Sequence, residues 1–190
     1  MALDAARDLA LADGLRGVTI RAIAAKIGYS VGTLYNLFED QDELILRLNA
    51  TVLDALGERL RELPHSGAPE DRIRRMARVY LGFTHANANL WNLLFEHTLP
   101  ADKPLPDWYA AKLDALLALL ERALEPVVPT PSKREQRDAA RILWASLHGI
   151  SSLAVSGKLG LVSAKTAQEM ADALIRDYVA GLSARVVGAA

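Results

Sequence analysis

The sequence predicts an all-α chain of about nine helices, and three observations predict it. Apolar residues recur at spacings of three and four, the period of a helix with one buried face. Ala, Leu, Arg and Glu, all good helix formers, dominate throughout. β-branched residues never alternate with polar ones over a useful length, so strand signals are nearly absent.

The breaks between helices follow from turn chemistry. A first helix runs from about Leu3 to Ala12 and stops at Asp13-Gly14, where Gly suits a left-handed cap. A second starts at Thr19, a good N-cap, and ends before Gly28. A third starts after Ser30 and ends near Phe38, and a long fourth runs from Asp40 to about Leu63. Pro64 to Pro69 is the strongest linker signal in the chain. A fifth helix runs from about Pro69 to Thr84, the polar stretch His85 to Asn89 interrupts, and a short sixth covers Leu90 to Glu96. Leu99 to Pro106, with three prolines, is a second loop, followed by a seventh helix from Asp107 to Leu124. Pro126 to Pro131 is a third loop, and Ser132 caps an eighth helix to about Ser156. Ser163 is expected to cap a ninth, which fades near Val187.

Composition bounds the function. The 190 residues, 51% of them hydrophobic, suffice for one large domain or for a small one joined to a medium one. There is no cysteine, which removes disulfides, thiol catalysis and thiolate metal sites and fits a cytoplasmic location. Met-Ala-Leu-Asp carries no secretory signal. The longest uncharged run, Ile142 to Gly157, is short for a membrane span and holds Ser, His and Gly, so it reads as a buried helix and no membrane partner is expected. A net charge of −1 gives no basic footprint, so any nucleic-acid contact must come from a local patch. There is no nucleophile elbow, no glycine-rich phosphate loop and no His pair at ligand spacing, so the reading is of no enzyme, no metal and no cofactor.

Thr19 to Phe38, TIRAIAAKIGYSVGTLYNLF, has the pattern of a helix-turn-helix. Gly28 supplies a left-handed turn residue, and Ala24, one helical turn earlier, lets two helices approach closely. Ile23, Ile27, Leu34 and Leu37 are expected to supply the apolar contacts, and Ser30 to cap the second helix. Val31, Gly32, Thr33, Tyr35 and Asn36 then fall on or near the exposed N-terminal half that enters the major groove in this motif. Its free backbone N–H groups favour phosphate, Asn36 matches adenine, and Thr33 suits a thymine methyl or a phosphate. From Gly14 to Phe38 there is no acidic residue, whereas Arg16, Arg21 and Lys26 are basic. An acidic cluster, Glu39, Asp40, Asp42 and Glu43, begins only after the motif.

The run VTIRAIAAKIGYSVGTLYNLFEDQDELI resembles the N-terminal domain of the TetR family of regulators, over roughly the first fifty residues. The G-T-L-Y-x-x-F core is its most specific part. The resemblance implies a three-helix DNA-binding domain in which Thr19, Arg21, Ser30, Thr33, Tyr35 and Asn36 touch DNA. Two positions depart from the family: Leu37 stands where His is usual, and Gln41 where a Lys commonly binds phosphate. The Arg/Lys-rich arm usual at the start is also absent.

The remaining two-thirds has no DNA-like character. Tyr80, Phe83, Trp91, Phe95, Trp108, Tyr109 and Trp144 read first as core, and second as the lining of an apolar ligand pocket with His85, Asn87, Asn89, His97 and His148 as candidate polar members. LWASLHGISSLAVSGKL, Leu143 to Leu159, looks like the W-H-G motif of one C-terminal class within the family, through Trp144, His148 and Gly149. YLGFTHANANLWNLLF resembles the helix 5–6 pattern of that class, with Asn87-Ala88 in place of a common His-Pro. Asp114 and Glu121 read as a solvated face, and Arg72, Arg74, Arg75 and Arg78 as exposed surface.

The expected architecture is a DNA-reading domain, residues 1–49, followed by a helical ligand-binding and dimerisation domain, residues 50–190. The eighth and ninth helices carry apolar faces (Ile142, Leu143, Ala145, Leu153; Leu174, Ile175, Tyr178, Val179) which, by resemblance, form a four-helix bundle in a homodimer. A C2 dimer reading a palindromic operator in double-stranded DNA is the physical expectation, because one recognition helix buries too little surface. A small apolar or aromatic molecule between the fifth to eighth helices would release a repressor by population shift. Two other readings stay open: a DNA-binding member without an inducer, and an all-helical enzyme or carrier.

Overall fold

A computed structural model of the chain describes residues 1–128 and 132–187, with side chains to residue 184. Nine α-helices and no strand occur among the described residues. The helices are α1 (Ala2–Asp13), α2 (Ile20–Ile27), α3 (Val31–Tyr35), α4 (Gln41–Arg61), α5 (Pro69–Ala86), α6 (Ala88–Glu96), α7 (Asp107–Leu124), α8 (Lys133–Val155) and α9 (Ala167–Val187). The all-α expectation therefore holds, with boundaries within a few residues of those read from turn chemistry. Pro129 to Pro131, the end of the expected third loop, lie outside the described residues.

Helix starts are capped as their residue types dictate. The Asp40 carboxylate accepts from the Glu43 N–H at 2.9 Å, and Glu43 reaches back to the Glu39 N–H at 2.7 Å. Pro69 opens α5, where its missing N–H costs nothing, and Ser132 accepts from the Glu135 N–H at 3.3 Å to open α8. The ninth helix corrects the sequence reading. Ser163 accepts from the Lys165 N–H in a tight turn, so it closes a loop and starts no helix. Thr166 and Glu169 form the true cap, a reciprocal pair with N–H to oxygen distances of 3.2 and 2.8 Å.

The chain packs as two units. The first comprises residues 1–55 and 87–112. Its core joins α1, α2 and α3 through Ala6, Ile23, Ala24 and Leu34, all essentially inaccessible. Helix α6 packs on α1, where the Asn89 amide donates to the Leu11 carbonyl at 3.0 Å. The second comprises residues 56–86 and 113–190, in which α5 packs against both α8 and α9. Its core includes Ile73, Ala77, Leu143 and Ile175. On α8, Arg141 bridges Asp114 and Glu121 of α7 at 3.0 and 3.1 Å, so those two acids are paired where a bare solvated face was expected. Arg74 and Arg75 are likewise engaged, Arg74 with Glu70 at 2.5 Å and Arg75 with the Ser66 carbonyl at 2.6 Å.

Gly28 sits at φ 74° and ψ 27°, where a Cβ would meet no neighbour within 4 Å. The constraint at this position is therefore backbone conformation alone. Gly28→Ala should cost about 1 kcal/mol in urea unfolding and Gly28→Asn less, because Asn tolerates the left-handed region. Equal losses for the two variants would contradict this.

Candidate functional site

The N-terminal site is built from two caps and one turn. Thr19 has extended backbone and its hydroxyl accepts from the Ala22 N–H at 3.1 Å, fixing the start of α2. Helix α2 ends at Gly28 with two bonds, Tyr29 N–H to the Ala24 carbonyl at 3.0 Å and Gly28 N–H to the Ala25 carbonyl at 3.4 Å. That pairing is a Schellman closure, and it satisfies carbonyls that the helix end would otherwise orphan. Two residues later the Ser30 hydroxyl accepts from the Thr33 N–H at 3.1 Å and meets the Thr33 hydroxyl at 2.9 Å.

Ser30, Val31, Gly32, Tyr35 and Asn36 are exposed together on this helix, with Thr33 half-buried beside them. Tyr35 is 54% exposed, although its neighbour Leu34 is 0% exposed. Arg21 is exposed on α2 and Thr19 half-buried at its start. Leu37 departs from its expected place. It is 62% exposed, because the α-helix ends at Tyr35 and the following turn hands the inward position to Phe38. Tyr29 is also exposed on the turn, and no periodicity argument could place a turn residue.

The electrostatics were only half legible. Lys26 pairs with Asp8 at 3.1 Å. Gln41 donates to the Val18 carbonyl at 3.1 Å, so this position ties α4 to the segment before α2. Lys103, from the proline-rich loop, binds Asp40 and lies 3.3 Å from Asp42, while His97 Nε2 lies 3.3 Å from the other Asp42 oxygen. The hydrogen bond from Lys103, with that from the Glu43 N–H, holds the Asp40 carboxyl below the usual carboxylate range. A sequence separation of 63 residues from Asp40 hid this partner from any local reading.

Of the pocket candidates, Tyr80, Trp144 and His148 come together in the second unit. The Tyr80 hydroxyl meets His148 Nδ1 at 3.0 Å, and the imidazole stacks on Trp144 with centroids 5.4 Å apart and planes at 12°. Thr84 and Ser151 form a second, fully buried hydroxyl pair at 2.6 Å between the same two helices. Tyr80 and Trp144 line an apolar cavity of about 40 Å³ with Leu56, Leu60, Met76 and Leu117. Phe83 is buried under Arg59, whose guanidinium lies 5.2 Å from the ring centroid. Trp91, Phe95 and Trp108 belong to the first unit. Trp91 and Phe95 form a tilted pair at 5.9 Å, and Arg47 lies over Trp108 at 4.8 Å. Among the described residues there is no group of three metal-ligating side chains, and no helix is long and apolar enough to cross a membrane.

Two family models match the chain. Bacterial regulatory proteins of the tetR family match residues 2–48, and the tetracyclin repressor-like C-terminal domain matches residues 73–178. The chain belongs to the TetR family. It is a TetR-family transcriptional regulator with a DNA-binding helix-turn-helix. The same fold recurs in a protein of unknown function from Rhodococcus sp. RHA1, at 22% identity, TM-score 0.76 and coverage of 96% of this chain and 93% of that one. It recurs in the TetR family transcriptional regulator PfmR from Thermus thermophilus, at 18% identity, TM-score 0.61 and coverage of 94% and 96%. A TetR-family regulator from Bordetella parapertussis 12822 matches at 17% identity, TM-score 0.65 and coverage of 93% and 91%. No curated protein sequence matches the chain.

In this TetR-family chain, burial pushes the His148 imidazole below its ordinary value of 6.5. The unfolded chain therefore takes up a proton near pH 6.5 that the folded chain resists, so stability falls as the pH drops through that value. His148→Asn keeps an amide near the Nδ1 position facing Tyr80 and removes the titration. The wild-type unfolding free energy from urea titration should fall more than the variant's between pH 7.5 and 5.5, by at most about 1.4 kcal/mol per pH unit. Parallel pH profiles would refute the assignment.

Burial also makes the Thr84–Ser151 pair a unit. Thr84→Val should cost about 1–3 kcal/mol by stranding the Ser151 hydroxyl, and adding Ser151→Ala should recover part of that loss. A double variant as unstable as the sum of the single ones would count against the pairing.

Proposed function

We propose that the protein is a cytoplasmic, ligand-responsive repressor that binds a palindromic operator as a homodimer and leaves it when a small apolar or aromatic molecule binds. The observation that carries this reading is the exposed cluster on α3, Ser30, Val31, Gly32, Tyr35 and Asn36, held by two caps above the buried Leu34. Thr19, Arg21, Ser30, Thr33, Tyr35 and Asn36 would make most of the DNA contacts, with Val31 and Gly32 close to the bases. Residues 1–49 would read DNA, and residues 50–190 would bind effector and dimerise.

Dimerisation through α8 and α9 is supported by what α8 leaves uncovered. Leu143, Ile175 and Val179 turn inward, whereas Ile142, Ala145, Gly149 and Ser152 form an exposed, largely small stripe along α8. Small side chains let two helices approach closely. The effector reading is supported by the apolar cavity beside Tyr80 and Trp144, the part of the expected set that sits together. Helices α4 and α7 each contribute residues to both units, so both are covalent routes between reading and sensing segments.

The same cavity favours a second reading. A volume of about 40 Å³ is far below the 300–1,000 Å³ of ordinary ligand pockets, which suits a constitutive DNA-binding member without inducer.

Selection of genomic fragments followed by fluorescence anisotropy tests the first reading. Binding should be dimeric and two-fold symmetric. Asn36→Ala should weaken operator binding by about 1–3 kcal/mol and relax specificity, and Tyr35→Ala should weaken all sequences alike. Arg21→Gln should lower the salt slope by about 1 for each phosphate interaction it removes. No dimeric binding to any fragment would end the proposal.

A further inference from the structure

The apolar cavity in the second unit does not end blindly. Leu60 and Met76 belong both to its wall and to that of a neighbouring cavity of about 100 Å³. The character changes sharply across those two side chains. The first cavity is lined by aliphatic and aromatic residues, whereas Arg72, Arg122 and His65 line the second and no acidic residue does.

The two arginines are available for a ligand. Arg74 and Arg75, their neighbours on α5, are held by Glu70 and by the Ser66 carbonyl. Arg72 and Arg122 make no ion pair among the described residues. They come from α5 and α7 and face one small space beside Leu63 and Leu119. Two uncompensated guanidiniums at an apolar mouth match a carboxylate, which guanidinium forks bind with charge-assisted hydrogen bonds.

We infer that the effector is a straight-chain carboxylate, its head between Arg72 and Arg122 and its alkyl tail passing between Leu60 and Met76 toward Tyr80 and Trp144. This inference rests on the effector reading given above and names its ligand class. A slender tail suits the space. Rings need a preformed slot, but a chain can thread between flexible side chains, and the wall is rich in them, Leu56, Leu60, Met76, Leu116 and Leu117. Tail length then governs affinity through buried methylenes, and the head governs class.

Titration calorimetry at pH 7.5, below micellar concentrations, decides the matter with hexanoate, octanoate, decanoate and 1-decanol on the wild type, Arg122→Gln and the double variant Arg72→Gln/Arg122→Gln. Affinity should rise about four-fold per added methylene, the equivalent of ~0.8 kcal/mol, until the cavity is filled. Decanoate should bind at least about ten-fold more tightly than decanol to the wild type. That preference should shrink in Arg122→Gln and vanish in the double variant, with decanol affinity unchanged as the control for folding. Absence of decanoate binding, equal affinity for alcohol and acid, or an undiminished preference in the double variant would overturn the inference. Operator anisotropy with the same ligands separates it from the reading beneath it. Release by decanol but not by decanoate sinks the carboxylate and keeps the effector reading. Arginine-dependent decanoate binding with no release keeps the carboxylate site and sinks the effector reading.

Discussion

The turn between α2 and α3 is the constraint on which the reading surface depends. Ala24 and Leu34 are both buried, so two short helices must meet at close range, and only a left-handed residue closes α2 abruptly enough to allow it. Gly28 provides that conformation, and the Tyr29 and Gly28 N–H groups then satisfy the last carbonyls of α2. Ser30 restarts the chain as a helix within two residues. With α3 only one and a half turns long, a single buried anchor fixes its rotation. Leu34 is that anchor, and the exposure of Val31, Tyr35 and Asn36 follows from its burial.

Positive charge around this surface is sparse. Lys26 is paired with Asp8, but the pair is exposed on both sides and worth little, so a phosphate can displace the carboxylate at small cost. The acidic residues after the motif are a different case. Lys103 binds Asp40 and lies beside Asp42, so their field is partly answered from within the same unit. Fewer cations at the surface place more of any affinity on directional contacts, and less on counterion release.

The fold was largely legible because it rests on local chemistry. Helix period, Thr19, Gly28, Ser30 and Ser132 each act within four residues of themselves, and each does what its type predicts. Failures arose where two local solutions compete or where partners are distant. Ser163 and Thr166 are both credible caps, and only the reciprocal Glu169 decides between them. Leu37 fits an apolar period that the helix does not live long enough to use. Gln41 to Val18, Lys103 to Asp40 and Tyr80 to His148 join residues from 23 to 68 apart, and nothing in a linear pattern points across such gaps. The pocket set split for the same reason, since aromatic residues announce burial but not which core they enter.

The α5–α8 contact fixes its register with polar pairs and adjoins a less directional apolar wall. Tyr80 with His148 and Thr84 with Ser151 place two polar pairs one helical turn apart on each helix. A slip of either helix would leave buried hydroxyls without partners, so the register is fixed where the polar pairs lie. The apolar wall beside them has no such directionality. Leu60, Met76 and Leu117 are held by packing alone and line a cavity of about 40 Å³. Under the proposed effector reading, a ligand there would exchange one apolar packing for another while the polar pairs keep the helices in register. Under the proposed effector mechanism, the free energy available to shift the protein between states would be set by the apolar area a ligand buries there.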